Sequence, residues 1–128
     1  MTLYSYLARL EDTLRSRQDI ILEELRLTLT TIGAVFEADV RFYDGSRLSI
    51  VEEVEKVGHR DIRRIAYTFH YQRADGTLSF RYDNAPHYPH LPTFPSHKHV
   101  GNSVVSAGVP DLTDVLREID AIIYSQSA

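Results

Sequence analysis

The stretch IAYTFHYQRADGTLSFRYD, residues 65–83, decides the fold because it contains both strands of a hairpin and the turn that joins them. Large apolar side chains occupy alternate positions: Ile65, Tyr67, Phe69 and Tyr71 before the turn, and Leu78, Phe80 and Tyr82 after it. This period of two is typical of antiparallel strands with one buried face. The dipeptide Asp75-Gly76 favours a two-residue turn, and that loop length matches the two apolar faces.

The predicted turn sets the register of the hairpin. It places Tyr71 opposite Phe80 and Phe69 opposite Tyr82 on the apolar face, and His70 opposite Arg81 and Thr68 opposite Asp83 on the polar face. A slip by one residue would turn every aromatic side chain out of the core. We therefore expect this register to be well specified.

The same alternation continues upstream, in residues 25–29, 36–42 and 48–50. The turn signal Asp44-Gly45-Ser46 separates the last two runs. Keeping Phe42 and Leu48 on one face requires a three-residue loop, with Gly45 or Ser46 at positive φ.

Glu52 is a conflict within this pattern, because the alternation puts its carboxylate on the inward face. A bulge near Val51 would turn the side chain outward, and this is the predicted solution. The alternative is a buried functional carboxylate.

Amphipathic helices are predicted at both ends of the chain. Apolar residues recur at three-and-four spacing at Leu3, Tyr6, Leu7, Leu10 and Leu14, and again at Leu112, Val115, Leu116, Ile119, Ile122 and Ile123. Asp111 is a suitable N-cap for the second helix, and Asp114 favours its first turn.

The predicted fold is α+β, in one domain over residues 1–128. It has about five antiparallel strands in a meander, with the N- and C-terminal helices packed on one face as a two-layer sandwich. The other sheet face is polar, and it is open to water, a ligand or a second subunit. The exposed strands are compatible with a homodimer.

Composition narrows the class of protein. The chain has no cysteine, which excludes disulfides and thiolate metal sites. Its start, MTLYSYLARLEDTLRSRQD, has no uninterrupted apolar segment, and no run approaches the roughly 20 apolar residues of a membrane span. We expect a cytoplasmic protein that does not enter a membrane.

Charge is unevenly distributed along the chain. The net charge is −4, which argues against non-specific coating of nucleic acid. Residues 56–100, however, hold seven Lys or Arg against three Asp or Glu, and all six histidines lie between His59 and His99. This predicts an anion-binding face on an acidic body, the alternative being an uneven solvated surface.

The stretch PHYPHLPTFPSHKH, residues 86–99, repeats proline at every third position. Polyproline II has three residues per turn, so we expect a stiff strut rather than helix or strand. One edge would carry Tyr88, Leu91 and Phe94 against the body, and another would present His87, His90, Thr93 and Ser96. The alternative is a proline-rich loop that crosses the surface.

His97-Lys98-His99 ends this stretch, and in an extended chain the two imidazoles share a face that Lys98 does not. Two chemistries fit. The four histidines at 87, 90, 97 and 99 could ligate zinc or nickel. Alternatively, imidazoles could exchange protons while Arg81 and Lys98 neutralise a phosphate, as in metal-free phosphodiester cleavage. Each histidine alone could equally be a structural surface residue.

The segment FRYDNAPHYPHLPTFPSHKHVG, residues 80–101, closely resembles the signature of the TumE-type family, toxins of bacterial and archaeal toxin–antitoxin pairs. The similarity extends through the preceding hairpin and the helix that begins PDLTDVLREI, and it is weakest over the first helix. The family pattern carries over to Arg81, Asp83, Asn84, Pro86, His87, Thr93, Phe94, Pro95, His97, Lys98 and His99. Two residues depart from it: Ser96 replaces a common histidine, and His90 stands where an acidic or other residue is usual.

The resemblance implies a cytoplasmic toxin, encoded beside a helix-turn-helix antitoxin that neutralises it by direct binding. Toxins of such modules often act on RNA, so the leading hypothesis is a metal-independent endoribonuclease without a cofactor. In it, His87 and either His97 or His99 serve as acid and base, while Arg81 and Lys98 hold the phosphate and Asp83 orients a partner. The predicted substrate-binding residues are His70, Asn84, His90 and Thr93.

Two alternatives belong to other classes of protein. The strut and the polar sheet face could bind RNA or a protein stoichiometrically, without catalysis. The histidines could also serve a metal-dependent hydrolase.

Overall fold

A computed structural model describes residues 1–125 of the 128-residue chain. Within them, two helices and seven strands follow in the order α1 (Leu3–Arg15), β1 (Ile20–Leu29), β2 (Gly33–Phe42), β3 (Arg47–Val57), β4 (Asp61–Gln72), β5 (Leu78–Asp83), β6 (His97–Val100), β7 (Ser103–Ser106) and α2 (Leu112–Tyr124). Each strand pairs antiparallel with the next, so the sheet order is β1 to β7. The predicted α+β meander is confirmed, but the predicted count of about five strands is too low.

The core lies between the two helices and one face of this sheet. The helices bury the leucines of α1 and an aliphatic stripe of α2, and the sheet contributes the alternating side chains predicted from the sequence. The largest of these are Phe36, Phe42, Phe69, Tyr71 and Phe80, each at most 2% exposed. Asp111 caps α2 as predicted: its side chain accepts from the Asp114 N–H, and Asp114 bonds back to the Asp111 N–H.

The first predicted loop is confirmed. The Phe42 N–H bonds to the Ser46 carbonyl at 2.9 Å, which leaves a three-residue loop, and Gly45 has a φ of 87°. Glycine is suited to this position because a side chain at positive φ is strained.

The β4–β5 hairpin has the predicted pairs but not the predicted turn. Tyr71 lies opposite Phe80 and His70 opposite Arg81, as expected. However, the Arg73 N–H bonds to the Thr77 carbonyl at 2.8 Å, so the loop has three residues rather than two. A register shift between Tyr71 and Gln72 compensates, since one extra residue in β5 restores the matched apolar faces.

The predicted bulge near Val51 is wrong. β3 runs regularly through Glu52, which lies opposite Phe36 on one side and Tyr67 on the other, with 0% exposure. The bulge is in β4 instead, where the register shifts between the pairs of Glu53 and Val54.

Glu52 stays inside because its carboxylate has partners there. The Tyr6 hydroxyl of α1 donates to one oxygen, and Arg64 of β4 lies 3.4 Å from the other. The same guanidinium donates to the Pro110 carbonyl at 2.6 Å, just before α2. Burial raises the pKa of Glu52, although Tyr6 and Arg64 oppose this shift. Tyr6, Glu52 and Arg64 thus connect α1 and the segment before α2 to the sheet.

The predicted polyproline II strut over residues 86–99 is also wrong. The backbone of residues 85–96 folds into successive turns, in which Leu91 N–H bonds to the Tyr88 carbonyl and Phe94 N–H to the Leu91 carbonyl, at 3.2 and 3.0 Å. Polyproline II has no such internal bonds. Proline restricts φ but leaves the intervening N–H groups free to close turns. His97 to Val100 then form β6, so part of this stretch is a strand.

Candidate functional site

Three polar side chains form a row across the sheet face opposite the helices. His70 of β4 lies beside Arg81 of β5, and Arg81 lies beside His99 of β6. Neighbouring strands are about 4.8 Å apart, so a guanidinium stands between two imidazoles. The row exists because the β4–β5 register places these residues on the polar face and because β6 continues the sheet.

Asp83 comes two residues after Arg81 in β5, so it lies on the same face of the sheet, directly opposite His97 of β6. Its Oδ1 accepts from the Ala85 N–H at 3.0 Å and lies 3.0 Å from His97 Nε2. Its Oδ2 accepts from Arg81 Nε at 2.9 Å and lies 3.7 Å from His99 Nε2. Burial raises the pKa of Asp83, but the bonds from Arg81 and Ala85 and the charge of His97 outweigh it, and the pKa is lowered.

His97 is 1% exposed and is held at both ring nitrogens. Its Nδ1 lies 3.0 Å from the Pro95 carbonyl, which can only accept, and Nε2 faces the Asp83 carboxylate. Both partners are hydrogen-bond acceptors, and together they fix the orientation of the ring. His97 therefore orients its neighbours and is not open to solvent.

The two imidazoles at the ends of the row have lowered pKa values. Burial lowers the pKa of His99, with the charges of His97, Arg81 and His70 adding to it and Asp83 opposing it. Burial and the Arg81 charge also lower the pKa of His70. Arg81 Nη1 lies 3.3 Å from His70 Nδ1, and since a guanidinium only donates, the His70 proton resides on Nε2. Both rings are thus neutral at neutral pH.

Tyr88 is half-buried and packs against the cluster formed by His70, Arg81, Asp83, His97 and His99, a position that the sequence indicated only as a packing contact. Its ring centroid is 4.7 Å from that of His97 and 5.9 Å from that of His99. His87 and His90 are exposed and meet the same tyrosine ring at 6.5 and 6.3 Å. The loop imidazoles are therefore separated from the strand imidazoles by an aromatic ring.

Lys98 does not join the cluster. As the alternation of β6 predicted, it lies on the helix side of the sheet, where its Nζ donates to Glu118 of α2 at 2.7 Å. It also lies over the rings of Phe80 and Tyr82, at 5.3 and 4.8 Å from their centroids. The sheet separates this cation from the imidazoles.

Asn84 and Thr93 are engaged with the backbone. The Asn84 amide accepts from the Tyr67 N–H at 3.0 Å and donates to the Ile65 carbonyl at 3.1 Å, which satisfies the bulge in β4. Thr93 Oγ1 donates to the Ser96 carbonyl and accepts from the Ala107 N–H, at 2.7 and 3.1 Å. Both residues shape the loop and the strand ends around the cluster.

One group in the described part of the chain has the composition of a metal site. The possible ligand atoms of Asp83, His97 and His99 lie within 4.8 Å of one another. The predicted ligands His87 and His90 are not part of this group. Histidine and carboxylate ligands suit zinc and related metals.

The fold and the cluster define a class: a small α+β protein with a carboxylate, three imidazoles and a guanidinium joined on the polar face of an antiparallel sheet. The family model described as Toxin TumE matches residues 9–126, and the chain belongs to this family of toxins. The match takes in every residue of the cluster. The resemblance inferred from residues 80–101 is thereby confirmed, and membership of a toxin family implies an antitoxin partner.

No curated protein and no solved structure matches the chain. Neither helix in residues 1–125 has the length and apolar character that crossing a bilayer requires.

Proposed function

We propose that this toxin is a metal-independent endoribonuclease. The observation that carries the proposal is the row of His70, Arg81 and His99, in which two neutral imidazoles flank a guanidinium. Cleavage of RNA by its own 2′-hydroxyl needs these three functions. A base removes the 2′-OH proton, the oxygen attacks phosphorus, a cation stabilises the pentacoordinate state, and an acid protonates the departing 5′-oxygen.

His99 is the proposed general base. It is partly exposed, and its lowered pKa keeps the ring neutral and able to accept a proton at neutral pH. His70 is the proposed acid on the other side of Arg81. A bound phosphate would raise the pKa of His70, because a nearby anion favours the imidazolium form. It would also draw the Arg81 guanidinium away from His70 Nδ1, so that this nitrogen can take the second proton that an acid needs.

Asp83 and His97 are positioning residues in this proposal. Asp83 holds the Arg81 side chain through Nε at 2.9 Å, and it leaves the terminal nitrogens of the guanidinium directed at the row. His97, locked between Pro95 and Asp83, supports that carboxylate. The exposed rings of His87 and His90 are proposed RNA contacts beside Tyr88.

The partner and compartment follow from the same proposal. The basic residues of 56–100 do not all lie on one face, since Arg64 bonds to Glu52 and Lys98 to Glu118 on the helix side of the sheet. Arg81, between His70 and His99, is therefore the proposed cation for RNA. We further propose that a helix-turn-helix antitoxin, encoded alongside, binds the toxin directly. The cytoplasm is the compartment that holds such targets.

The test compares His99→Gln and His70→Gln with the wild type on a synthetic RNA, in the presence of a chelator. Each substitution is expected to lower the cleavage rate by on the order of 10²–10⁴-fold. The products should end in 2′,3′-cyclic phosphate, and the 2′-deoxy analogue should be inert. His59→Gln, which alters a histidine in the turn after β3, is the matched control and should cleave normally.

Two results would contradict the proposal. Undiminished cleavage by the double variant of His70 and His99 would remove these rings from the chemistry. Growth arrest that requires as much toxin as target, with no cleaved RNA, would instead identify a stoichiometric binding protein.

One observation favours a second candidate, a metal-dependent hydrolase. Asp83, His97 and His99 could together ligate a cation, and the bond from His97 Nδ1 to a carbonyl is a common way to orient a ligating imidazole. Against this, Arg81 and the Ala85 N–H already occupy the carboxylate of Asp83. Metal analysis of the purified toxin, and loss of cleavage on chelation with recovery on adding zinc, would favour this candidate.

A further inference from the structure

β1 is an edge strand along its whole length. It is the first strand in the sheet order, so it pairs with β2 alone, and it spans the ten residues Ile20–Leu29. Natural proteins usually shorten or block such edges, because unpaired backbone groups recruit another strand. β1 has one such feature, a bulge at Glu23, and it carries the charged residues Glu24 and Arg26, but its second half pairs regularly with β2 and exposes Leu27 and Leu29. A long edge with exposed leucines indicates a partner whose charges match those of the strand.

The free backbone groups of β1 can be identified from its bonds to β2. The Thr30 N–H bonds to the Gly33 carbonyl at 2.9 Å, and the Asp19 carbonyl accepts from the Tyr43 N–H at 3.1 Å. In an antiparallel strand, the backbone N–H and C=O groups of successive residues point alternately toward the neighbouring strand and toward the open edge. The extra residue at Glu23 breaks this alternation once. The residues whose backbone groups face the open edge are consequently Ile20, Leu22, Leu25, Leu27 and Leu29.

These same five residues carry apolar side chains on the helix side of the sheet. α1 and α2 cover the beginning of the strand better than its end, and Leu27 and Leu29 remain 48% and 60% exposed. A partner strand would pair with the free backbone groups and also cover these leucines.

The strand is complementary to a second copy of itself. With a two-fold axis at Leu25, and with the bulged residue Glu23 left unpaired in both copies, an antiparallel copy places Leu27 opposite the partner's Leu22, and Leu29 opposite the partner's Ile20. The charged residues also match, because Arg26 falls opposite the partner's Glu24 and Glu24 opposite the partner's Arg26. Cross-strand pairs of opposite charge are favourable, as are apolar pairs.

We propose that two copies of this chain pair through β1 to form a homodimer with one continuous sheet. The occupant of the edge is a second copy, because a single register matches the apolar residues on the helix side and pairs Glu24 with Arg26 on the other side. In this register Ile21 falls opposite the partner's Thr28, and Glu23 remains in the bulge. Isologous pairing of this kind is the usual geometry of a two-fold dimer. The surface lies at the opposite sheet edge from β5–β7, so the proposed cleavage site stays open in the dimer.

Cross-linking tests the register, and the absence of native cysteine makes the background clean. Residues that face each other in a hydrogen-bonded antiparallel pair have Cα atoms about 5.5 Å apart, within disulfide range. Leu25→Cys is therefore expected to form a covalent dimer on mild oxidation. Leu27→Cys is the matched control and should not, since it faces the partner's Leu22. Cross-linking of Leu27→Cys in place of Leu25→Cys would overturn the register.

Solution mass tests the interface itself. Light scattering should give a dimer for the wild type and a monomer for Leu27→Lys. Arg26→Glu should also give a monomer, because it places a glutamate opposite the partner's Glu24 at two symmetry-related positions. The double change Glu24→Arg with Arg26→Glu restores opposite charges and should restore the dimer. Circular dichroism confirms that each variant is folded. A monomeric wild type, or a dimer that ignores these substitutions, would overturn the proposal without bearing on RNA cleavage.

Discussion

The His97 ring and the Asp83 carboxylate form a buried pair, with Nε2 3.0 Å from Oδ1 and side-chain exposures of 1% and 7%. The pair links β5 to β6, and Asp83 bonds in turn to Arg81 of the polar row. One carboxylate thus both holds the edge of the sheet together and sets the position of the guanidinium.

Asp83→Ala is expected to destabilise the fold strongly. It leaves His97 buried without its acceptor and removes a bond to the Ala85 N–H, and breaking a buried charged pair costs about 3–5 kcal/mol. Urea denaturation of the purified protein measures the free energy of unfolding. Asp12→Asn on the exposed side of α1 is the control and should leave it unchanged. An equally small change at both positions would mean that the buried pair contributes little.

The pH dependence of cleavage should report His99. Its pKa is lowered from the ordinary 6.5, because the ring is partly buried beside positive groups. A general base must be neutral and a general acid protonated, so the rate should rise with pH below that value as His99 becomes neutral, and fall at higher pH as His70 loses its proton. Single-turnover rates between about pH 5 and 8 give the profile, and the rising limb should disappear in His99→Gln. A limb that survives this substitution would belong to another group.

Glu52 should make stability fall as pH rises. Its pKa is raised in the folded protein by burial, so above 4.5 the folded state binds more protons than the unfolded state. Linkage then lowers the free energy of unfolding by at most about 1.4 kcal/mol per pH unit until the folded pKa is passed.

Comparison of the wild type with Glu52→Gln isolates the contribution of Glu52 ionisation to the free energy of unfolding. The amide and the carboxyl are similar in shape, and the other titrating groups contribute equally in both proteins. The stability of the variant relative to the wild type should increase between about pH 5 and 8, as measured by urea denaturation. A difference that does not vary with pH would show that Glu52 ionises equally easily in both states.

Lys98 is expected to affect stability and not cleavage. It bonds to Glu118 and lies over two aromatic rings on the helix side of the sheet. Lys98→Met should lower the free energy of unfolding by about 1 kcal/mol while the cleavage rate stays near that of the wild type. Complete loss of cleavage in a folded Lys98→Met protein would restore the phosphate-binding role predicted from the sequence.

Sequence reasoning was most successful where one face of a strand is buried. The pairs Tyr71–Phe80 and His70–Arg81 follow from alternation alone, because a slipped register would expose the aromatics. The turn was wrong even so, since a three-residue loop with a bulge gives the same pairs as a two-residue loop. The apolar period shows only which residues share a face. It cannot distinguish a two-residue loop from a three-residue loop that is combined with a bulge in the next strand.

Glu52 shows the limit of the same argument. The period puts its carboxylate on the inward face, but the predicted bulge, which would turn it outward, is wrong, because its partners Tyr6 and Arg64 come from α1 and β4. A pattern within one strand contains no information about which side chains lie opposite it, and a bulge therefore seemed the simpler solution.

The sequence by itself determined the meander, the two helices, the common face of His97 and His99, and the family, because alternation and local motifs act within a few residues. Only the tertiary structure decided that His99 joins His70 and Arg81 in one row while the loop histidines do not. The position of His99 depends on the pairing of β6 with β5, which follows the successive turns of residues 85–96. Pairing between strands that are separated along the chain is set by the packing of the whole sheet.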